Sequence, residues 1–359
     1  MALRRGRKGN LGLEVLSLIE LALPEPDGQT LLRDRHGETV AAISDALASS
    51  LDNVSRLQGW QVQYAFEAVV VALGNVRLIK FEDSGIYYFD DADGELQPPD
   101  FRIVLRDGSQ LLVEVKNVAP NATTATVRAK DLSAAQRYAD ATGGRLLYAH
   151  FWSHTGLWTL VDPSAFDSTG SLRRLTLGES MKANEMYLLG DSWLAVEPPL
   201  VLSVITDRDK EQVVERHSGT ADTRRITVRR MELLNAGRLI TDSAEWKLAW
   251  FLIWNGHWAP TENLQFDKNG RLERINYVFS PDIPDEVAAR QIAARGMAIV
   301  GALSTLSTRR FLEVTTTNEG DIRALREEPE PALLVQLIPD DYWNRQDRAL
   351  SLWKLNVSP

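Results

Sequence analysis

The 359-residue sequence has no cysteine, no long apolar run and no glycine-rich phosphate loop. The missing cysteine excludes disulfides, thiolate metal sites and a cysteine nucleophile together. Apolar stretches meet an acid or a polar break well before the ~18 residues a membrane span needs, so no membrane partner is expected. Without a Walker-type loop, any nucleotide-driven step would need a separate subunit. Internal repeats and low-complexity tracts are also lacking. With 44% hydrophobic and 25% charged residues, the chain is not a disordered, collagenous or low-complexity protein. Its length suggests two domains, each with apolar material for a core.

The formal net charge is −9, which taken alone argues against a nucleic-acid partner. The charge is unevenly spread. Seven of the 49 acids lie between Glu82 and Asp100, a stretch without Lys or Arg, and the remainder carries 42 acids against 40 bases. This excludes a uniformly basic DNA-coating protein but not an enzyme that meets DNA through local patches.

Residues 1–35 read as a basic arm, with Arg4, Arg5, Arg7 and Lys8, followed by a short amphipathic helix over Leu11–Leu23. Glu14 and Glu20 interrupt that helix and no small-residue cleavage site follows, so the secretory reading fails and a cytoplasmic chain is expected. Residues 36–200 form the first domain. Helical spacing covers Thr39–Ser50 and Trp60–Leu73, the second stopped by Gly74-Asn75. Strands follow at Val76–Phe81, Gly85–Phe89, Phe101–Leu105 and Gln110–Lys116, then a helix over Thr124–Thr142 and strands at Arg145–Trp152 and Leu157–Val161. The crossover helix implies a parallel strand after it and hence a mixed central sheet. Residues 201–359 read as a C-terminal α+β domain for recognition, dimerisation or partner docking. Its signals are a strand over Thr223–Met231, a helix over Ser243–Asn255, a hairpin at Asp267-Lys268-Asn269-Gly270 and a long helix over Asp285–Ser307.

The informative residues are Pro99-Asp100 and Glu114-Val115-Lys116. Phe101, Ile103 and Leu105 form the apolar set of one strand, and Leu111, Val113 and Val115 that of the next. Alternate residues face opposite sides, so both odd-numbered sets must face one core. That requires an odd loop, which Arg106-Asp107-Gly108 supplies with glycine in the left-handed position. The resulting register opposes Leu105 to Ser109 and Asp100 to Glu114, placing Asp100, Glu114 and Lys116 on the outward face. Two opposed carboxylates repel unless something positive lies between them. A hard cation such as Mg²⁺, which takes a few carboxylate oxygens plus water and substrate phosphate, is a natural occupant. Lys116 could then orient a water or neutralise a developing phosphorane. The alternative is ordinary solvent-facing charge on a hairpin.

These residues resemble the motif of the PD-(D/E)XK, or restriction-endonuclease-like, phosphodiesterases, whose αβββαβ core matches the element order. Within that superfamily, Phe66-Glu67, Pro99-Asp100-Phe101, Asp107-Gly108 and Val113-Glu114-Val115-Lys116 look most like TnsA-type transposon endonucleases. The resemblance covers about residues 60–155. It implies a Mg²⁺-dependent DNA endonuclease of the restriction, transposition or repair type, with Mn²⁺ as a substitute. Its metal ligands would be Asp100, Glu114, the carbonyl of Val115 and Glu67, with Lys116 stabilising charge. Glu67 also stands alone in an apolar helix, where a carboxylate is costly to bury unless paired or metal-bound. Lys130 and Arg137, seven apart on the crossover helix, are the candidate DNA contacts. A homodimer or partner protein would provide the second site of a double-strand break. Two other readings are an effector-gated nuclease and a non-catalytic assembly module on the same fold.

Weaker signals remain. Trp246, Trp250 and Trp254 recur every four residues, as a core, a dimer interface or a base-stacking stripe. Arg224-Arg225 and Arg229-Arg230 form a second basic cluster. His150 and His154 lie on a strand-like stretch, where their spacing does not make a zinc site.

Overall fold

The structure, a computed structural model, describes residues 36–82, 87–90, 94–167, 169–215, 223–281, 294–338 and 340–355. The expected N-terminal arm and short helix lie outside the described residues. By its contacts the chain divides into two compact units. The first runs to Gly190 and includes Thr308–Ala332; the second comprises Asp191–Ser307 and the residues from Leu333. No described helix is long and apolar enough to cross a membrane.

The first unit is mixed α/β. Helices α1 (His36–Leu51) and α2 (Val54–Leu73) precede the sheet. The Asn53 side chain caps α2 by accepting from the Arg56 N–H at 3.0 Å, and Gly74, at φ 66°, closes its other end. Strands β1 (Val76–Phe81), β2 (Phe101–Leu105), β3 (Gln110–Val118), β5 (Arg145–Trp152) and β6 (Leu157–Val161) form one sheet in the order β1-β2-β3-β5-β6. Only β3 and β5 pair in parallel, as the crossover requires.

The odd loop sets the β2–β3 register. Phe101 pairs with Val113 and Ile103 with Leu111, and the Leu105 N–H donates to the Ser109 carbonyl. Gly108 sits at φ 94°, a conformation that a side chain would strain. The odd-numbered face packs on α2, where Phe66 meets Phe101 and Trp158 at ring separations of 5.6 and 5.4 Å.

The even-numbered face is not open, as the sequence suggested, but covered. Helix α3 (Ala129–Thr142) buries Ala135 and Ala139 against Leu112, Leu146 and Tyr148. Helix and sheet are also tied at one edge. The Tyr138 hydroxyl donates to Glu82 Oε1 at 2.7 Å, and Arg102 forks onto the same carboxylate. The Arg102 hydrogen bond holds the Glu82 carboxyl below its ordinary pKa.

Two expectations for this unit are corrected. Thr124–Arg128 is a strand, β4, rather than the first turns of the helix, because Ala125 and Val127 alternate with polar residues and are buried. It pairs with β7 (Leu172–Thr176), after which α4 (Leu177–Lys182) begins at a Thr176–Glu179 capping box. The expected strand over Gly85–Phe89 has no regular structure at Tyr87–Phe89, and Gly85 and Ile86 lie outside the described residues.

In the second unit, β9 (Leu200–Thr206), β12 (Val228–Asn235), β13 (Arg238–Leu239), β14 (Ala259–Phe266) and β15 (Leu272–Ser280) form an antiparallel sheet ordered β13-β12-β9-β15-β14. Three strands, β8 (Trp193–Val196), β16 (Ala298–Ala302) and β17 (Leu352–Leu355), form another with β8 in the middle. Between Thr223 and Met231 there are two strands, β11 (Thr223–Arg225) and β12; β11 pairs with β10 (Val213–Glu215).

The long helix expected over Asp285–Ser307 is also corrected. Residues 282–293 lie outside the described set. Gly296, at φ 67°, turns the chain, and Ile299 and Val300 continue in β16 against β8. Helix α6 (Leu303–Thr315) starts only after that strand, and its residues from Thr308 belong to the first unit.

Helix α5 (Ser243–Asn255) is capped by Asp242 and buries Leu248, Ala249 and Leu252. Its tryptophans are not core: Trp246 and Trp250 stack at 5.3 Å, and Trp254 is exposed. The aliphatic residues of this nearly all-apolar helix fill the core instead.

Glu245 of α5 is buried and accepts main-chain N–H groups from Ala349 and Leu350 at 3.0 and 3.4 Å. Removing an acceptor strands buried donors, at about 1–3 kcal/mol each. Glu245→Ala should therefore lower the unfolding free energy by ~2–4 kcal/mol, read as a lower urea midpoint. Glu245→Gln, which keeps one acceptor, should lose less than half as much.

Candidate active site

The sequence-derived residues fall into three small groups on the first unit. Beyond Phe101↔Val113 the β2–β3 register places Asp100 opposite Glu114, at the strand end where Pro99 begins. Proline weakens the ladder at that point. The N–H of Val115 donates instead to Asp100 Oδ2 at 2.6 Å. Asp100 is thus held against β3 by its own side chain. Its other oxygen, Oδ1, accepts from Gln63 Nε2 at 2.6 Å. Both oxygens therefore take strong charge-assisted bonds, which fix the carboxylate's orientation.

Glu114 and Lys116, two apart on one face of β3, form an ion pair with each other. Both acids are nearly buried: Asp100 is 5% exposed and Glu114 9%. Lys116 is half-buried. Burial pulls its ammonium toward neutrality, but the charge and hydrogen bond of Glu114, with the charge of Asp100, prevail and raise its pKa. Lys116 is therefore a standing cation here. It suits charge stabilisation, because a proton-abstracting lysine needs the opposite shift.

The neighbouring column on β5 is buried and aromatic. In the parallel register Tyr148 lies beside Glu114 and His150 beside Lys116. Burial, then the charge of Lys116, pushes the His150 imidazole down to about 3, so it is neutral beside the ammonium. Burial, aided by the nearby carboxylates, raises the Tyr148 phenol. This floor lowers the local dielectric and strengthens the site's electrostatics.

Glu67 is one helical turn from Gln63 on α2, but its carboxylate lies 3.0 Å from Arg326 Nη2, and that guanidinium also covers the Tyr64 ring. Lys130 is exposed at the start of α3. Arg137 donates from Nε and Nη2 to the Glu95 carbonyl, at 3.0 and 2.7 Å, and so braces the loop leading to Asp100.

Sequence reasoning missed three residues. Gln63 had a signal, since it stands four residues before Glu67 and shares its helical stripe. Arg326 had none, being 259 positions from its partner. Asp131, which pairs with Arg128 at 2.7 Å, adds to the field that keeps Lys116 charged.

The donors that this junction would offer a hard cation are the Asp100 and Glu114 carboxylates, with the Val115 carbonyl the third that the resemblance implies. That all-oxygen set is compatible with Mg²⁺, which keeps several waters. No group of three His, Asp or Glu side chains able to hold a metal occurs among the described residues.

Among solved structures, this chain is similar to Archaeoglobus fulgidus Hjc, a Holliday junction resolvase from an archaeal hyperthermophile. The match is 14% identical, covers 26% of this chain and 73% of that chain, and has a TM-score of 0.23. The sequence matches no protein-family model and no curated protein.

Gln63→Ala removes the donor to Asp100 Oδ1 and leaves the bond from the Val115 N–H.

Proposed function

We propose that the first unit is a divalent-metal-dependent DNA endonuclease built on a restriction-endonuclease-like core. The observation that carries this reading is the junction of Asp100, Glu114 and Lys116 where β2 leaves β3, with Asp100 hydrogen-bonded to the Val115 N–H. In this reading Asp100, Glu114 and the Val115 carbonyl hold Mg²⁺ or Mn²⁺, and Glu67 joins them on release from Arg326. A bound Mg²⁺ supplies Lewis acidity toward a phosphodiester oxygen and a more acidic water.

The protein's part follows from its own groups. Gln63 and the Val115 N–H fix the Asp100 carboxylate, and the buried β5 column keeps water from screening the site. Lys116, charged throughout, neutralises the negative charge that builds on the phosphorus oxygens. A second copy or a partner protein supplies the second cut of a double-strand break.

The carboxylates here already have protein partners, Asp100 in Gln63 and the Val115 N–H, Glu114 in Lys116 and Glu67 in Arg326, which favours a second reading, in which the same unit binds nucleic acid without cutting it. Incubation of the full chain with supercoiled plasmid, linear duplex and RNA, with Mg²⁺, Mn²⁺ or chelator, separates the two. The endonuclease reading expects metal-dependent nicks in DNA. Binding without any metal-dependent product supports the second reading.

A further inference from the structure

His150, in the middle of β5, is fully buried, and neither its Nδ1 nor its Nε2 has a hydrogen-bond partner. Among the described residues no other side chain buries two polar atoms unmet. Its surroundings are rings: Phe166, Trp152 and Tyr148 lie 5.6, 6.1 and 6.3 Å from the imidazole. Burial, and then the charge of Lys116, keeps it neutral. A neutral imidazole carries one N–H donor and one lone-pair acceptor, whichever tautomer it takes. Leaving both unmet in a core is unfavourable, and a phenylalanine would pack there without that cost.

The neighbouring side chain has the complementary need. In the parallel β3–β5 register His150 stands beside Lys116, on strands about 4.8 Å apart. The ammonium has three donors, of which Glu114 takes one. Other acceptors nearby are already engaged. Asp100 receives Gln63 and the Val115 N–H, and Asp131 on α3 pairs with Arg128.

We infer that His150 is a positioning residue for Lys116, with a ring nitrogen that accepts the ammonium once Glu114 turns to a cation. Its part in cleavage rests on the endonuclease reading. There it holds the Lys116 charge beside the phosphodiester after the lysine has lost its carboxylate partner. His150 itself touches no substrate.

The test is long-range ¹H–¹⁵N NMR of the full chain labelled with ¹⁵N-histidine, without metal or nucleic acid. Of the five histidines, His150 is identified by the signals that vanish in His150→Phe. Glu114→Ala frees the ammonium and should shift the accepting His150 nitrogen. Glu114→Ala/Lys116→Ala should return it to the wild-type position. Because Glu114 is nearly buried, Glu114→Gln, which keeps its volume, is measured beside it with the same expectation. An unmoved imidazole in both single variants would overturn the proposal, since the ammonium has then turned to Asp100 or to solvent. An equal shift in the double variant would overturn it too.

Cleavage provides a second readout. His150→Phe keeps the ring packing, so its urea midpoint should equal or exceed that of wild type. Its single-turnover rate should fall about tenfold with KM for DNA unchanged, because small misplacements of a reacting group are costly. At least one of His150→Asn and His150→Gln, whose amide oxygens stand near the two ring-nitrogen positions, should recover part of the rate. A lower midpoint in His150→Phe with an unchanged rate would mark a packing role alone and overturn the proposal. Plasmid nicking by wild type scores the endonuclease reading separately. A Lys116-dependent shift without nicking removes only that reading, and nicking without the shift removes only this inference.

Discussion

Asp100→Asn should abolish metal-dependent DNA cleavage, by about 10³-fold or more, while the protein stays folded. The amide oxygen of asparagine can still accept the Val115 N–H, and Gln63 can rotate its own amide to present an oxygen to the new NH₂ group. The hydrogen bonds that dock this residue on β3 and α2 therefore survive, and the unfolding free energy should change by less than about 1 kcal/mol. What is lost is the negative charge. Removing a cation's carboxylate forfeits several kcal/mol of transition-state stabilisation, and each ~1.4 kcal/mol is a factor of ten in rate. Asp100→Ala would be a poorer test because it also strands the buried Val115 N–H, so lost activity could reflect misfolding. Plasmid nicking beside a urea melt separates the effects. Asp100→Asn nicking at the wild-type rate would contradict the assignment.

Lys116→Ala should lower cleavage about 10²–10³-fold, the usual loss when one fixed positive or hydrogen-bonding group is withdrawn from a developing oxyanion. It should not abolish cation binding. Glu114 loses its internal counter-ion, so its carboxylate is freer for a metal, and Mn²⁺ affinity should hold or rise. This split separates the role assigned to Lys116 from that of Asp100. A lysine that only braced Glu114 would show the reverse, with metal affinity falling and the rate at saturating metal intact. Lys116→Arg, which keeps the charge in a bulkier fork, should recover part of the rate.

The sequence was most legible where short-range geometry decides the structure. The odd loop Arg106-Asp107-Gly108 and the two apolar sets define the β2–β3 register, which the pairing matches. The parallel β3–β5 pair follows from the crossover helix. Legibility failed where contacts come from far along the chain or where two periodicities compete. Thr124–Arg128 can start a helix or alternate as a strand, and pairing with β7, some 45 residues later, decides for the strand. Ile299 and Val300 suit a helix only until Gly296 and the partner strand β8 are known. In the site, Asp100, Glu114 and Lys116 announce themselves by spacing. Gln63 needed the azimuth of α2 against β2, and Arg326 needed the return of Thr308–Ala332 to the first unit. The covered even face was equally hidden, since α3 shows an apolar stripe but not which sheet face receives it.

The measurement that bears most directly on the central claim is Mn²⁺ binding to the full chain, followed by electron paramagnetic resonance or calorimetry without nucleic acid. One tight Mn²⁺ site per chain is expected in wild type, lost in Asp100→Asn and in Glu114→Gln and kept in Lys116→Ala. Absence of a bound ion in wild type, or equal binding by Asp100→Asn, would contradict a metal centre at the β2–β3 junction.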